Sequence, residues 1–203
     1  MAQIKLTKTE LREQQIKFAQ LQKYLPTLQL KKALLQVEVN QALQEEEELN
    51  HVLTREQSLV QQCVALFSEK NTGSFLSSLV VQEVKVKLEN IAGVDVPVFE
   101  KIIFPESTYT LFDTPIWYES VRERVQKMLE YKERIKIVIL RRVALEREHR
   151  EVSIRVNLFE KILIPRAIEN IKRIKIFLSD QQLAAISQAK VAKKKILEQE
   201  EER

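Results

Sequence analysis

LKKALLQVEVNQALQEEEELNHVL, residues 30–53, sets its apolar residues at alternating steps of three and four. Leu35, Val39, Ala42, Leu49 and Leu53 fall on one side of a helix, with Lys32 and Glu46 completing the series. The same count extends in both directions. It runs back through Leu28, Leu25 and Leu21 to Phe18, and forward through Glu56, Val60 and Cys63 to Phe67. Twelve of these fifteen seam positions are apolar, too many for chance periodicity. Thr7 and Glu10 form a Thr-x-x-Glu capping box at the start, flanked by Leu6 and Leu11 as a hydrophobic staple. Asn71 or Gly73 supplies a left-handed cap at the end. Helix 1 is therefore predicted over residues 7–71, roughly 90 Å long at the rise of an α-helix. A stripe of that length needs an equally long partner to bury it.

The second half of the chain provides one. Thr114 is placed as an N-cap with Pro115 at the first helical position. Apolar periodicity then runs through Leu145, His149, Val152, Val156, Phe159, Leu163, Ala167, Ile171, Ile174 and Leu178. Helix 2 is predicted over residues 114–195, with residues 196–203 as a polar, frayed tail. Only two glycines and five prolines stand among 203 residues, which favours a few long elements over many short ones. Charged residues make up 31% of the chain, as in long amphipathic helices.

Between the helices, over 72–113, the period changes to two. EVKVKLENIAGVDVPVFEKI is rich in valine and carries Gly93 near its centre. Val84–Glu89 and Val94–Phe99 are expected as the arms of a small hairpin, with Pro97 confining the second arm to an edge. The fold class expected is mainly α: a long antiparallel two-helix coiled coil with a central β-hairpin insert, forming one elongated domain over 1–203. The connection pairs positions whose numbers sum to about 187, a register of order-of-magnitude precision.

That register brings two basic segments to one end. Residues 1–35 carry a net charge of +5 and residues 155–195 carry +7, within a total of +4. The remainder must then be strongly acidic. Pro165, inside the helical run KILIPRAIENI (161–171), falls at a similar height to Pro26. A proline within a helix costs about 3 kcal/mol. A bend shared by the two helices would let the seam close through both.

No catalytic constellation is present in the sequence. His51 and His149 lie within helical patterns, and His149 reads as a seam residue and not a base. Cys63 occupies a heptad position, where a free cysteine acts as a small hydrophobe. Two isolated glycines make no phosphate-binding loop. Glu45–Glu48 spread around the helix axis, which suits a solvated face better than a metal site. Lys193–Lys195 lack the interleaved aromatics of a nucleic-acid surface. No run reaches the ~18 apolar residues of a membrane span, and one cysteine permits no intrachain disulfide, so a cytosolic protein is expected.

RVNLFEKILIPRAIENIKRIKIFL resembles the C-terminal pattern of the D subunit of V-type ATPases and ATP synthases, matching at Arg155, Val156, Asn157, Leu158, Glu160, Ile164, Pro165, Arg166, Ile171 and Ile174. NIAGVDVPVFE (90–100) resembles the family's central segment, and LTKTEL (6–11) its start. Pro26 and Ala33 depart from the pattern in helix 1, as in a divergent bacterial branch. The resemblance implies a rotor shaft, the central stalk, without catalysis or cofactor of its own. Its termini would enter a hexamer of catalytic and regulatory chains, the A and B subunits. Its strand-bearing middle would lie near the small F subunit and the coupling subunit of the membrane ring. The complex would sit at the inner face of the membrane, this chain neither inserting into it nor binding nucleic acid.

On this basis the candidate tip contacts are Lys5, Lys8, Arg12, Arg166, Lys172, Arg173, Lys190 and Lys193. Val94, Val96, Pro97 and Phe99 are the candidate contacts of the central segment, and Pro26 and Pro165 the candidate bend. A prefoldin-like chaperone, a coiled-coil scaffold and a basic nucleic-acid binder are the rival readings.

Overall fold

The computed structural model describes residues 5–62, 75, 79–105, 115 and 117–201. The element order is α1 (Lys8–Gln61), β1 (Glu83–Ile91), β2 (Val94–Ile103), α2 (Trp117–Leu158), a π-helical turn (Phe159–Leu163) and α3 (Ile164–Glu201). The chain is thus mainly α, with long N- and C-terminal helices and a two-stranded antiparallel hairpin between them. Cys63, Phe67, Asn71, Gly73 and Thr114 lie outside the described residues. The residues group into two compact units. One comprises the chain up to Leu30 and from Val152 onward, and the other spans Lys31–Glu151.

Within the Lys31–Glu151 unit the predicted seam is buried. Leu35, Ala42 and Leu145 are fully buried, Val39 and Leu49 nearly so, and Glu46, Leu53 and Glu56 are half-buried. Leu49 clusters with Ile135 and Val138, packed by Leu53, Tyr131 and Ile139. A second cluster joins Phe75, Tyr118, Val121 and Val125, with the Phe75 and Tyr118 rings edge-to-face at 5.3 Å. Pro115 precedes α2, and its carbonyl accepts the Tyr118 N–H at 3.0 Å. Lacking an N–H, proline gives up no helical bond there.

Charge pairs fix the register across this unit. Glu45 accepts from Arg141 and, at 3.3 Å, from Arg134; Glu46 accepts from Arg142 Nε at 2.9 Å. Arg141 opposite Glu45 and Arg142 opposite Glu46 fall within about one residue of the register expected from the connection length. The acidic run is therefore divided. Glu47 and Glu48 are exposed, whereas Glu45 and Glu46 face the partner helix instead of solvent. Successive residues rotate by about 100° around the axis, so a run of four must straddle both faces.

The other unit holds the remaining seam. Ile174 is fully buried, and Val152, Val156 and Ala167 are buried. Phe159, Leu163, Ile171 and Leu178 are half-buried, as are Phe18, Leu21, Leu25 and Leu28 on α1. Asn170 is a buried polar residue whose Nδ2 donates weakly to Gln14 Oε1 at 3.5 Å. Thr7 Oγ1 accepts the Glu10 N–H at 3.2 Å, the cap expected of this sequence, while the Glu10 carboxylate accepts Gln14 Nε2 at 2.8 Å. Thr7→Ala should destabilise this helix end by about 1 kcal/mol, seen as faster amide exchange over Lys8–Leu11; unchanged exchange would show that the cap is dispensable.

Pro165 has a local accommodation. The Ile164 N–H bonds to the carbonyl of Phe159, five residues back, in a π-helical turn ending one residue before α3. A proline ring collides with the carbonyl four residues earlier, here Lys161. The wider turn relieves that crowding, and π turns are a recognised cause of helix kinks. Pro26 lies inside α1 without such a turn, its side chain exposed like that of Pro165.

Candidate partner-binding surfaces

The first surface lies in the unit formed by the chain's two end regions. A groove of about 720 Å³ runs between the start of α1 and the start of α3. Lys5 and Arg166, both predicted tip contacts, line it together with Lys17. Thr7, Glu10, Glu13 and the Gln14–Asn170 pair are among its other polar lining residues, beside the apolar Leu21, Leu163 and Ala167. The groove is thus mixed in charge, with three cations and two carboxylates. Lys8, Arg12, Lys172 and Arg173 are exposed nearby in sequence, and Arg173 donates to Glu169 at 2.6 Å.

Lys190 and Lys193 are placed differently. They stand 24 and 27 residues beyond Arg166 on the continuous helix α3, roughly 36–40 Å along its axis. The antiparallel pairing of Gln14 with Asn170 puts the start of α1 near the level of residue 176. Beyond that level α3 has no paired helix among the described residues, and every side chain over 179–196 is exposed. Leu183, Ile186, Val191 and Ile196 are among them. None of the four belongs to the seam counted as far as Leu178. Their scattered spacing, without an unbroken stripe, concealed them.

The second surface is the hairpin. Its two-residue loop, Ala92–Gly93, has φ of +50° and +83°, the pattern of a type I′ turn. The Asn90 side-chain oxygen accepts the Gly93 N–H, and its amide donates to Asp95 at 2.7 Å. Val86 opposes Phe99 and Leu88 opposes Pro97, so these four share one face. Val86 is 43% and Leu88 71% exposed. Val96 projects from the opposite face and is fully buried, and Val94 beside it is half-buried. The central-segment residues are accordingly divided between two faces. Pro97 and Phe99 stand with Val86 and Leu88 on the more open one, while Val96 serves the protein's own packing. Alternation on a strand puts neighbours on opposite faces, so a run such as VDVPVF cannot present all its apolar residues at once.

No group of three or more His, Cys, Asp or Glu is placed to hold a metal ion among the described residues. His149 is half-buried on the seam, and its Nε2 has no hydrogen-bond partner among them. Arg142 joins a carboxylate of its own helix to one of the partner helix. The hydrogen bond to Glu146, then that to Glu46, raises the Arg142 pKa above its ordinary value against the opposing effect of burial. No described helix is long and apolar enough to cross a membrane.

The amino-acid sequence matches one family along nearly the whole chain. Residues 10–194 fit the model of the ATP synthase D-subunit family. The chain belongs to that family. It is 41% identical to the V-type ATP synthase D subunit of Chlamydia abortus over 202 residues, covering 99% of this chain and 97% of that one. The Chlamydia caviae protein of the same name is 42% identical with the same coverage. That of Chlamydia trachomatis serovar L2 is 40% identical over 201 residues, covering 98% and 99%. The resemblance of the C-terminal, central and N-terminal stretches to this family is thereby confirmed across the chain's length.

Proposed function

We infer that this chain is the central-stalk subunit of a V-type ATP synthase or ATPase, a non-catalytic shaft that carries torque between a nucleotide-hydrolysing hexamer and a membrane ion-translocating ring. The observation that carries this reading is end-to-end likeness to V-type ATP synthase D subunits, covering 97–99% of each compared relative. Two helices packed along a common seam resist twisting better than one, as a shaft requires. The proposed partners are the catalytic and regulatory A and B subunits at the tip, with the small F subunit and the ring's coupling subunit toward the other end. The complex is peripheral to the membrane on its cytoplasmic side.

The tip assignment rests on the exposed cations Lys5, Lys8, Arg12, Arg166, Lys172, Arg173, Lys190 and Lys193. Leu183, Ile186, Val191 and Ile196 add to it, because exposed apolar side chains on an unpaired helix favour cover by a neighbour. Pro97 and Phe99 form the central contact with Val86 and Leu88. Nothing in the fold or the likeness favours a chaperone. Reconstitution with candidate A and B subunits tests the reading: the chain should co-elute with the hexamer and rotate within it during hydrolysis. A hexamer that assembles and turns over without retaining the chain would refute it.

Pro26 and Pro165 set an off-axis tip in this proposal, so that each catalytic interface meets a different side of the shaft. Pro165→Ala restores a backbone donor beside the π turn and should lower ions pumped per ATP hydrolysed. Unchanged coupling would reduce the π turn to a tolerated irregularity.

A further inference from the structure

The hairpin is a sheet of two strands, so each strand has an outer edge with no third strand beside it among the described residues. The two edges are not equivalent. When a two-residue turn closes a hairpin, the flanking pair exchanges hydrogen bonds, here Ile91 with Val94, and such pairs alternate along the ladder. Glu89 with Val96 is then a bonded pair, whereas the backbone groups of Leu88 and Pro97 point outward. Pro97 suits that phase, since it has no N–H to give the ladder, and it removes a donor from the outer edge of β2. On β1 the outward groups of Val86, Leu88 and Asn90 are complete. No backbone bond from another described element reaches them.

Val86 to Asn90, five successive residues with side chains on both faces, are exposed. Lys87 and Glu89 share their face with Val98 and Val96, of which Val96 is fully buried. The cover on that face therefore lies over β2 and stops short of β1. Leu88, at 71%, is the most exposed large apolar side chain among the described residues. An extended segment can add along such an edge. Lysine there discourages indiscriminate pairing, so the strand that fits must set a carboxylate opposite Lys87.

β1 itself meets that requirement. Backbone phase lets two antiparallel copies pair only where outward residues meet outward residues. Centred on Val86, such a pairing opposes Lys85 to Lys87 and Glu83 to Glu89; centred on Lys87 or Glu89, it opposes that charge to itself. Centred on Leu88, it sets Lys87 of each copy against Glu89 of the other, Leu88 against Leu88 and Val86 against Asn90. No like charges are then opposed. Lys87 already bonds Glu89 at 3.0 Å within one strand, on the same exposed face, so the same two groups can pair between copies.

We propose that the free chain pairs with a second copy of itself along β1, in a two-fold register centred on Leu88 that makes one four-stranded antiparallel sheet. The contact is isologous, each copy offering the same edge. It is smaller than the roughly 1,000 Å² of a stable interface, so the dimer is weak and forms at high concentration. Val86 and Leu88 also belong to the face offered to partners in the stalk reading, so self-pairing and assembly exclude each other there. The inference does not rest on that reading: a chain that joins the hexamer yet never dimerises refutes this proposal alone.

Sedimentation velocity of the full chain over a concentration series measures the pairing. The parent should pass from monomer towards dimer as concentration rises. Lys87→Glu and Glu89→Lys each oppose like charges in this register and should each weaken the dimer about tenfold, while the double exchange should return it to within about threefold of the parent. In a Cys63→Ser background, Leu88→Cys should form an intermolecular disulfide under mild oxidation, because bonded pairs set their Cα atoms about 5.5 Å apart, within disulfide reach. Leu140→Cys, at a site 60% exposed on α2, should link at least about tenfold more slowly, and circular dichroism checks that helix content is kept. A parent that stays monomeric throughout would overturn the proposal, even if a candidate F subunit occupied the edge instead. So would a dimer indifferent to the single exchanges, a double exchange that fails to restore it, or equal linking at Leu88→Cys and Leu140→Cys.

Discussion

Leu145→Ala should lower the free energy of unfolding by about 3 kcal/mol, within the range of about 2–5 kcal/mol for emptying a fully buried leucine site. Leu145 is completely buried on α2, in the same unit as the equally buried Leu35 of α1. The loss combines the transfer free energy of the removed carbons with the cavity they leave, since a helix pair can collapse only partly around a missing knob. Urea unfolding followed at 222 nm measures it. Ile154→Ala is the matched control: its side chain is 61% exposed and its removal should change stability by no more than about 0.5 kcal/mol. Equal effects at the two positions would mean that the periodic seam does not carry the packing. A larger loss at Ile154 would mean that the helix presents its other face.

Glu45→Ala should cost about 1–2 kcal/mol, because a single carboxylate serves both Arg134 and Arg141. Arg141 is only 17% exposed, so removing its partner leaves a poorly hydrated guanidinium. The pairwise part is isolated by a cycle with Arg141→Ala, in which the coupling should reach about 1 kcal/mol and fall partly with added salt. The exposed pair Glu169–Arg173, within α3, should give no more than about 0.5 kcal/mol in the same cycle. A Glu45 coupling near zero would place the register under the apolar seam alone. The two outcomes differ in what aligns the helices: heptad packing tolerates a shift by seven residues, whereas Glu45 and Glu46 meet Arg141 and Arg142 in one alignment only.

Much of this was legible in the chain because helical packing has a period that the sequence must repeat. The positions counted from Phe18 to Val60 and from Leu145 to Leu178 are all buried or half-buried. Thr7 caps α1 as its spacing with Glu10 indicates. Val-rich alternation around Gly93 marks the hairpin, whose strands extend beyond the predicted arms to Glu83 and Ile103. The Glu45–Arg141 and Glu46–Arg142 pairs depart from the solvated acidic face expected of the sequence, although the helices meet in the expected register. The candidate contacts were less legible. Lys5 and Arg166 meet along one groove, but Lys190 and Lys193 lie several turns away on a helix that outlasts its partner.

By itself the sequence determined the elements, their antiparallel pairing and the side each helix buries, because these depend on local spacing and on the length of the connection. Tertiary structure alone decided three things. It turned Val96 inward while leaving Leu88 outward, gave the Ala92–Gly93 turn its two positive φ angles, and widened the helix ahead of Pro165 into a π turn. Each depends on contacts or backbone bonds chosen among close alternatives. A strand's period names two faces without saying which will be covered, and a proline announces a missing bond without saying how the helix will absorb it.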